Sequence, residues 1–203
     1  MGSIPQESKE WRKLSVGVIG GGIGGMCVAI ALRRAGHEVT IWEKADFVSE
    51  VGASVSCAAN GTRWLHEWDV DVPKGDPVVL TKLINRDWKT GEPVSVYDLA
   101  DYEEKFGYVY NMFHRQYMHK MLRECAMQEE GKGTPAKLVV NHACQNIDLE
   151  TGLITFKNGA TAKHDMIIGC PASPNRQTLL LLRYGYGWCS HNLQGRISMP
   201  MAR

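Results

Sequence analysis

The sequence has no Cys-x-x-Cys pair, no block of like charge and no apolar run at its start, and each lack removes a class of function. Its six cysteines (Cys27, Cys57, Cys125, Cys144, Cys170 and Cys189) are scattered without the spacing of a zinc site or a redox dithiol. No metal is expected, and the thiols read as reduced ones in a cytoplasmic protein. With 23 basic against 22 acidic side chains there is no net field to gather nucleic acid or anionic lipid. The opening MGSIPQESKEWRK is polar, so a secretory signal is not expected, and Gln6 stands where myristoylation wants Ser or Thr. What remains is 203 residues, 44% hydrophobic, enough for one sizeable core in one domain or a little more.

Residues 14–32, LSVGVIGGGIGGMCVAIAL, carry no charge and have the length of a membrane span, but six of them are glycine. The glycines fit a strand, a phosphate turn and a buried helix, so no membrane span is expected. Residues 15–20 form a short β-branched run, and residues 23–35 form a helix opened by glycine. Gly36 closes that helix, with Arg33 and Arg34 in its last turn, where they suit the helix dipole. HEVTIWE at 37–43 alternates Val39 and Ile41 as a second strand and ends in Glu43. The unit at 15–43 is thus a βαβ.

Within it Gly20, Gly22 and Gly25 occupy the three fixed places of G-x-G-x-x-G. The first permits the tight turn out of the strand, the second lets a pyrophosphate approach the backbone, and the third lets the helix pack close to the sheet. The helix N-terminus then attracts phosphate charge. Eighteen residues after Gly25, Glu43 stands where an acid accepts the ribose hydroxyls. An acid there disfavours a 2′-phosphate, which leaves FAD and NAD as alternatives.

Further along, residues 61–68 place Trp64, Leu65 and Trp68 at helical spacing, and residues 78–99 read as a hairpin turning at Lys89, Thr90 and Gly91. A strand at 107–113 leads into a helix at 115–128 with Met118, Met121, Leu122 and Cys125 on one face. Strands follow at 136–140, 145–149 and 153–156, then an Asn158-Gly159 hairpin turn and a last short strand at 165–169. Beyond Gly169 no strand or helix period is clear, apart from a leucine run at 179–182.

VGVIGGGIGGMCVAIALRRAGHEVTIWEK, EVGASVSCAANGTRWL, FHRQYMHKMLRECA and HDMIIG, in that order, resemble the motif series of class A flavin monooxygenases. The resemblance covers residues 14–169 and is nearest to salicylate-hydroxylase-like enzymes with the para-hydroxybenzoate hydroxylase fold. It implies an α/β protein, with a Rossmann-like FAD-binding domain on a parallel sheet (1–77 and 107–169). A partial β excursion of the substrate domain (78–106) and an atypical tail (170–203) complete the expected organisation.

By the same resemblance Glu43 would hold the adenosine ribose, Gly52, Ala53 and Ser54 would line the flavin, and Arg115 would contact it. Ser54 replaces the family's usual glycine. His114 reads as structural, and Tyr97, Tyr102, Tyr108 and Tyr110 as packing. The implied activity is hydroxylation of an aromatic, phenolic small molecule with NAD(P)H and O2, in secondary metabolism. No catalytic side chain is nominated, because the cofactor carries the difficult step.

The resemblance stops where the family continues with Ala-Asp-Gly and this sequence reads Cys170-Pro171-Ala172. The family's later Gly-Asp motif has no counterpart, since Gly75-Asp76 comes too early. A C-terminally truncated chain is therefore expected, with a non-catalytic FAD-binding fragment as the competing reading. An NAD-dependent dehydrogenase is a further alternative, disfavoured by the lack of a recognisable catalytic His or Lys-Tyr arrangement. Neither substrate nor oligomeric state is legible.

Overall fold

The computed structural model describes residues 11–46, 52–148 and 150–170, and the backbone of 180–184 and 187–191. The elements run β1 (Ser15–Ile19), α1 (Ile23–Arg34), β2 (Glu38–Trp42), β3 (Ser54–Cys57), α2 (Ala59–Glu67) and β4 (Val78–Val79). They continue with β5 (Lys82–Arg86), β6 (Pro93–Asp98), α3 (Tyr102–Phe106), β7 (Asn111–His114) and α4 (Arg115–Met127). Then follow β8 (Lys137–Val139), β9 (Cys144–Asp148), β10 (Leu153–Phe156), β11 (Thr161–Lys163), β12 (Met166–Gly169), β13 (Leu180–Tyr184) and β14 (Gly187–His191).

The main sheet has the order β14-β13-β12-β1-β2-β8. Strands β12, β1, β2 and β8 are parallel, as a βαβ crossover requires. Such strands are covered on both faces, so side chains pointing either way from them are packed. Val16 and Val18 of β1, Val39 and Ile41 of β2 and Ile168 of β12 meet Met26, Ala29 and Ile30 of α1 and Met118, Met121 and Leu122 of α4 in one core. On the opposite face Ile19, Trp42 and Ile167 meet Ile154 and Phe156 of the antiparallel β11-β10-β9 sheet. The result is three layers: helices, parallel sheet and a small antiparallel sheet.

Gly36, at φ +90°, ends α1 as read from the sequence. The two arginines before it do more than meet their own helix dipole. Arg33 is buried and donates to the carbonyls of Cys125, Ala126, Gln128 and Gly133 at 2.9 to 3.1 Å, which gathers the C-terminal end of α4. Arg34 donates to the carbonyls of Trp68 and Glu67 at the end of α2.

The hairpin expected at 78–99 divides. Residues 82–98 form it as β5 and β6, but Val78 and Val79 pair instead with Met112 and Asn111 of β7. The strand expected at 107–113 is shortened because Gly107, at φ +77°, caps the short helix α3. That helix is reinforced by the Asp101–Lys105 pair at 2.6 Å. Strand β7 also pairs with β3, giving a small β3-β7-β4 sheet, while among the described residues β5 and β6 pair only with each other.

Asn158 and Gly159 do turn a hairpin, through a three-residue loop closed by the Phe156 amide donating to the Ala160 carbonyl at 2.9 Å. Only Gly159, at φ +85°, takes the left-handed conformation there. Within the tail read as lacking periodicity, β13 and β14 extend the main sheet antiparallel beside β12. Apart from Cys170, the rest of that tail lies outside the described residues. Among the described residues no helix is long and apolar enough to cross a membrane.

Candidate dinucleotide site

The turn between β1 and α1 is shaped by glycines in two places where a side chain could not be accommodated. At Gly20 the backbone takes φ +107°, and a β-carbon would lie 2.5 Å from the Cys170 carbonyl oxygen. At Gly25 a β-carbon would collide with the Gly20 carbonyl, so the helix rests directly on the turn. Gly22 is the opposite case, since a β-carbon there would meet nothing within 4 Å among the described residues. The space over Gly22 is open to a group approaching the backbone.

Helix α1 begins without a side-chain cap and without an acid in its first turn. Its first intrahelical bond runs from the Met26 amide to the Gly22 carbonyl at 3.0 Å. The amides of Gly22, Ile23 and Gly24 therefore point forward as donors at the positive end of the helix. An uncapped helix start beside open space fits a diphosphate.

Glu43, only 8% exposed, closes β2 against this turn. One carboxylate oxygen accepts the Gly21 amide at 2.6 Å and the other accepts the Ala45 amide at 2.8 Å. Each oxygen keeps a further lone pair, so the group can still accept a hydroxyl donor. Spacing alone placed Glu43 opposite the glycine turn, and the two are in contact.

The second group of residues read from the sequence comes together through β3 and β7. Ser54 pairs with His114, and the Arg115 amide donates to the Ala53 carbonyl at 2.9 Å. Gly52 lies so close to the His114 imidazole that a β-carbon would overlap it. Arg115 opens α4, half-buried, with no side-chain hydrogen bond or ion pair among the described residues. It sits one helical turn before His119, which reaches the Gly21 carbonyl at 2.6 Å. Helix α4 thus joins the Gly52–Arg115 cluster to the glycine turn.

A family model described as an NAD(P)-binding Rossmann-like domain matches residues 18–72. Over 160 residues the chain is 34% identical to hispidin-3-hydroxylase of Neonothopanus nambi, which covers 78% of this chain and 37% of that protein. It is 29% identical over 163 residues to 3-amino-4-hydroxybenzoate 2-monooxygenase of Streptomyces cremeus, covering 78% of this chain and 39% of that one. Over 78% of its length the chain is thus similar to flavin-dependent and related monooxygenases. It spans less than two fifths of the length of these two relatives. The structure of Klebsiella pneumoniae HpxO, solved with FAD and uric acid, shares the fold with a TM-score of 0.61 at 20% identity, over 76% of this chain and 38% of that one.

His119, in contact with the glycine turn, is the residue there that was not read from the sequence. It falls on the buried face of α4 between Met118 and Met121, where a histidine passes for core. A signal was available, because a polar ring on an apolar stripe needs a partner. Of the tyrosines, Tyr102 packs on Phe106 and Tyr110, and Tyr108 on His66, while Tyr97 is exposed on β6.

Burial raises the Cys27 thiol to about 11, with Cys57, Cys170 and Cys125 adding to the effect. Burial likewise raises Cys170, beside Gly20. These thiols are thereby held protonated and poorly nucleophilic.

Proposed function

We propose that this chain forms the ADP-binding part of an FAD site and serves a flavin monooxygenase that hydroxylates a phenolic small molecule with NAD(P)H and O2, in secondary metabolism. The observation that carries this reading is the contact of Glu43 with Gly21 at the foot of an uncapped helix. In it, the amides of Gly22, Ile23 and Gly24 bind the diphosphate and Glu43 accepts a ribose hydroxyl. Gly52, Ala53 and Ser54 line the flavin, and the Arg115 guanidinium contacts it.

FAD, when bound, would supply the redox chemistry: hydride accepted from NAD(P)H and one atom of O2 delivered to an electron-rich ring. The chain's own contribution is binding and orientation. Gly20, Gly22 and Gly25 allow the backbone to reach the diphosphate, and α4 ties that end of the cofactor to the Arg115 end. We assign residues 1–77 and 107–169 to the FAD domain and 78–106 to a substrate-side sheet, in keeping with the isolated pairing of β5 with β6.

The test is to purify the chain, add FAD and look for a bound flavin absorbance band, then follow oxygen-dependent NAD(P)H consumption with simple phenols. Bound flavin with consumption supports the proposal in full. Bound flavin without it favours a second reading, a binding fragment, for which Cys170 and Pro171 in place of Ala-Asp-Gly speak. Binding of NAD with hydride transfer that needs no oxygen would overturn the monooxygenase assignment.

A further inference from the structure

We infer that His119 is a positioning residue of the dinucleotide site, a latch that keeps the Gly21–Gly22 peptide from flipping. The inference rests on the reading of the glycine turn as a diphosphate cradle. His119 is 1% exposed and its Nε2 lies 2.6 Å from the Gly21 carbonyl oxygen, 98 residues away in sequence. A carbonyl only accepts, so Nε2 carries the proton and donates.

The peptide unit is planar and trans, so the Gly21 carbonyl and the Gly22 amide point in opposite directions. Holding the carbonyl against α4 therefore aims the Gly22 amide away from α4. The space over Gly22 is open, and its amide has no acceptor among the described residues. The preceding peptide is fixed in the same manner, its Gly21 amide held by Glu43 at 2.6 Å. Two side chains from two other elements thus set two successive peptide planes in a run of three glycines.

Such restraint matters because glycine has wide backbone freedom, and Gly20, Gly21 and Gly22 in series have no side chains to oppose a peptide flip. A flipped Gly21–Gly22 unit would present a carbonyl oxygen to the diphosphate in place of an amide. His119 excludes that state before the ligand arrives, which is preorganisation in a literal sense.

The test compares the full chain with His119→Leu, His119→Gln and His119→Asn, using FAD, ADP and adenosine as probes. Glutamine can still donate to the carbonyl, whereas leucine cannot donate and asparagine is too short to reach. His119→Leu is expected to weaken ADP and FAD about tenfold while leaving adenosine within about twofold, and His119→Gln to restore most of the loss. The 15N amide resonance of Gly22 should move in His119→Leu and return in His119→Gln.

If His119→Leu does not fold, the same comparison is made between His119→Gln and His119→Asn. Equal affinity for ADP in all folded variants, or equal losses of ADP and adenosine, would overturn the inference. Failure of the unaltered chain to bind ADP or FAD would instead overturn the reading of the site itself.

Discussion

Replacing Arg33 by methionine tests how the helical layer is held together. The guanidinium is 2% exposed and, among the described residues, has no acidic partner in hydrogen-bond contact. Its charge is met by four carbonyls at 2.9 to 3.1 Å and a longer contact to the Glu130 carbonyl at 3.4 Å. Hydrogen bonds from a charged donor contribute about 1.5–3 kcal/mol each, but simple addition overshoots. The Ala126 carbonyl keeps its bond from the Ala136 amide at 2.9 Å. Among the described residues Arg33 Nε is buried with no partner, so part of the cost of desolvating the group is recovered when it is removed.

The net loss should be about 3–5 kcal/mol, from carbonyls left without a donor at about 1–3 kcal/mol each, against a typical domain stability of about 5–15 kcal/mol. Urea unfolding followed by far-ultraviolet circular dichroism reads it directly. Arg33→Lys should recover less than half, because an ammonium cannot span carbonyls on both sides of a planar fork. A loss below about 1 kcal/mol in Arg33→Met would refute the idea that this side chain gathers the end of α4.

Gly25→Ala pushes a β-carbon into the Gly20 carbonyl. It should cost about 2–3 kcal/mol and weaken FAD more than tenfold, measured by melting and flavin titration. Glu43→Gln leaves one acceptor oxygen for the amides of Gly21 and Ala45, so a loss of about 1–2 kcal/mol is expected without ligand, with FAD weakened further; unchanged values in both assays would count against the ribose role. The Trp42 indole donates to His164 Nε2 at 3.0 Å, and burial lowers the His164 pKa below 6.5, partly opposed by Asp165. The unfolded chain then binds the proton more readily. This contribution is complete above about pH 6.5 and is lost as the pH falls from there toward the folded value. Unfolding free energies between pH 7.5 and 5 should show that slope, and His164→Gln should flatten it.

The βαβ unit was legible because each of its signals is local: β-branched runs, glycines at fixed intervals, and an acid at the end of the second strand. Glu43 meeting Gly21 follows from that spacing. Arg33 was harder to read. Its place in the last turn suggested a dipole interaction, yet its partners lie about a hundred residues away, and nothing along the chain announces which carbonyls need a donor. His119 was hidden for a similar reason, since its periodicity is that of the apolar neighbours around it. The division of the 78–99 segment turned on competition: Val78 and Val79 suit a strand in either sheet, and pairing with β7 won.

The ribbon formed by β5 and β6 has a mechanical consequence. All five side chains of β5 are exposed, and Val94, Val96, Ile84 and Tyr97 face solvent along with Trp88 at the bend. Two strands without a third, or a helix to rest on, have little cohesion of their own. Amide protons at 82–98 should exchange before those of the main sheet, and a protease should cut there first. Slower exchange in this ribbon would then report directly that another surface has come to rest on it.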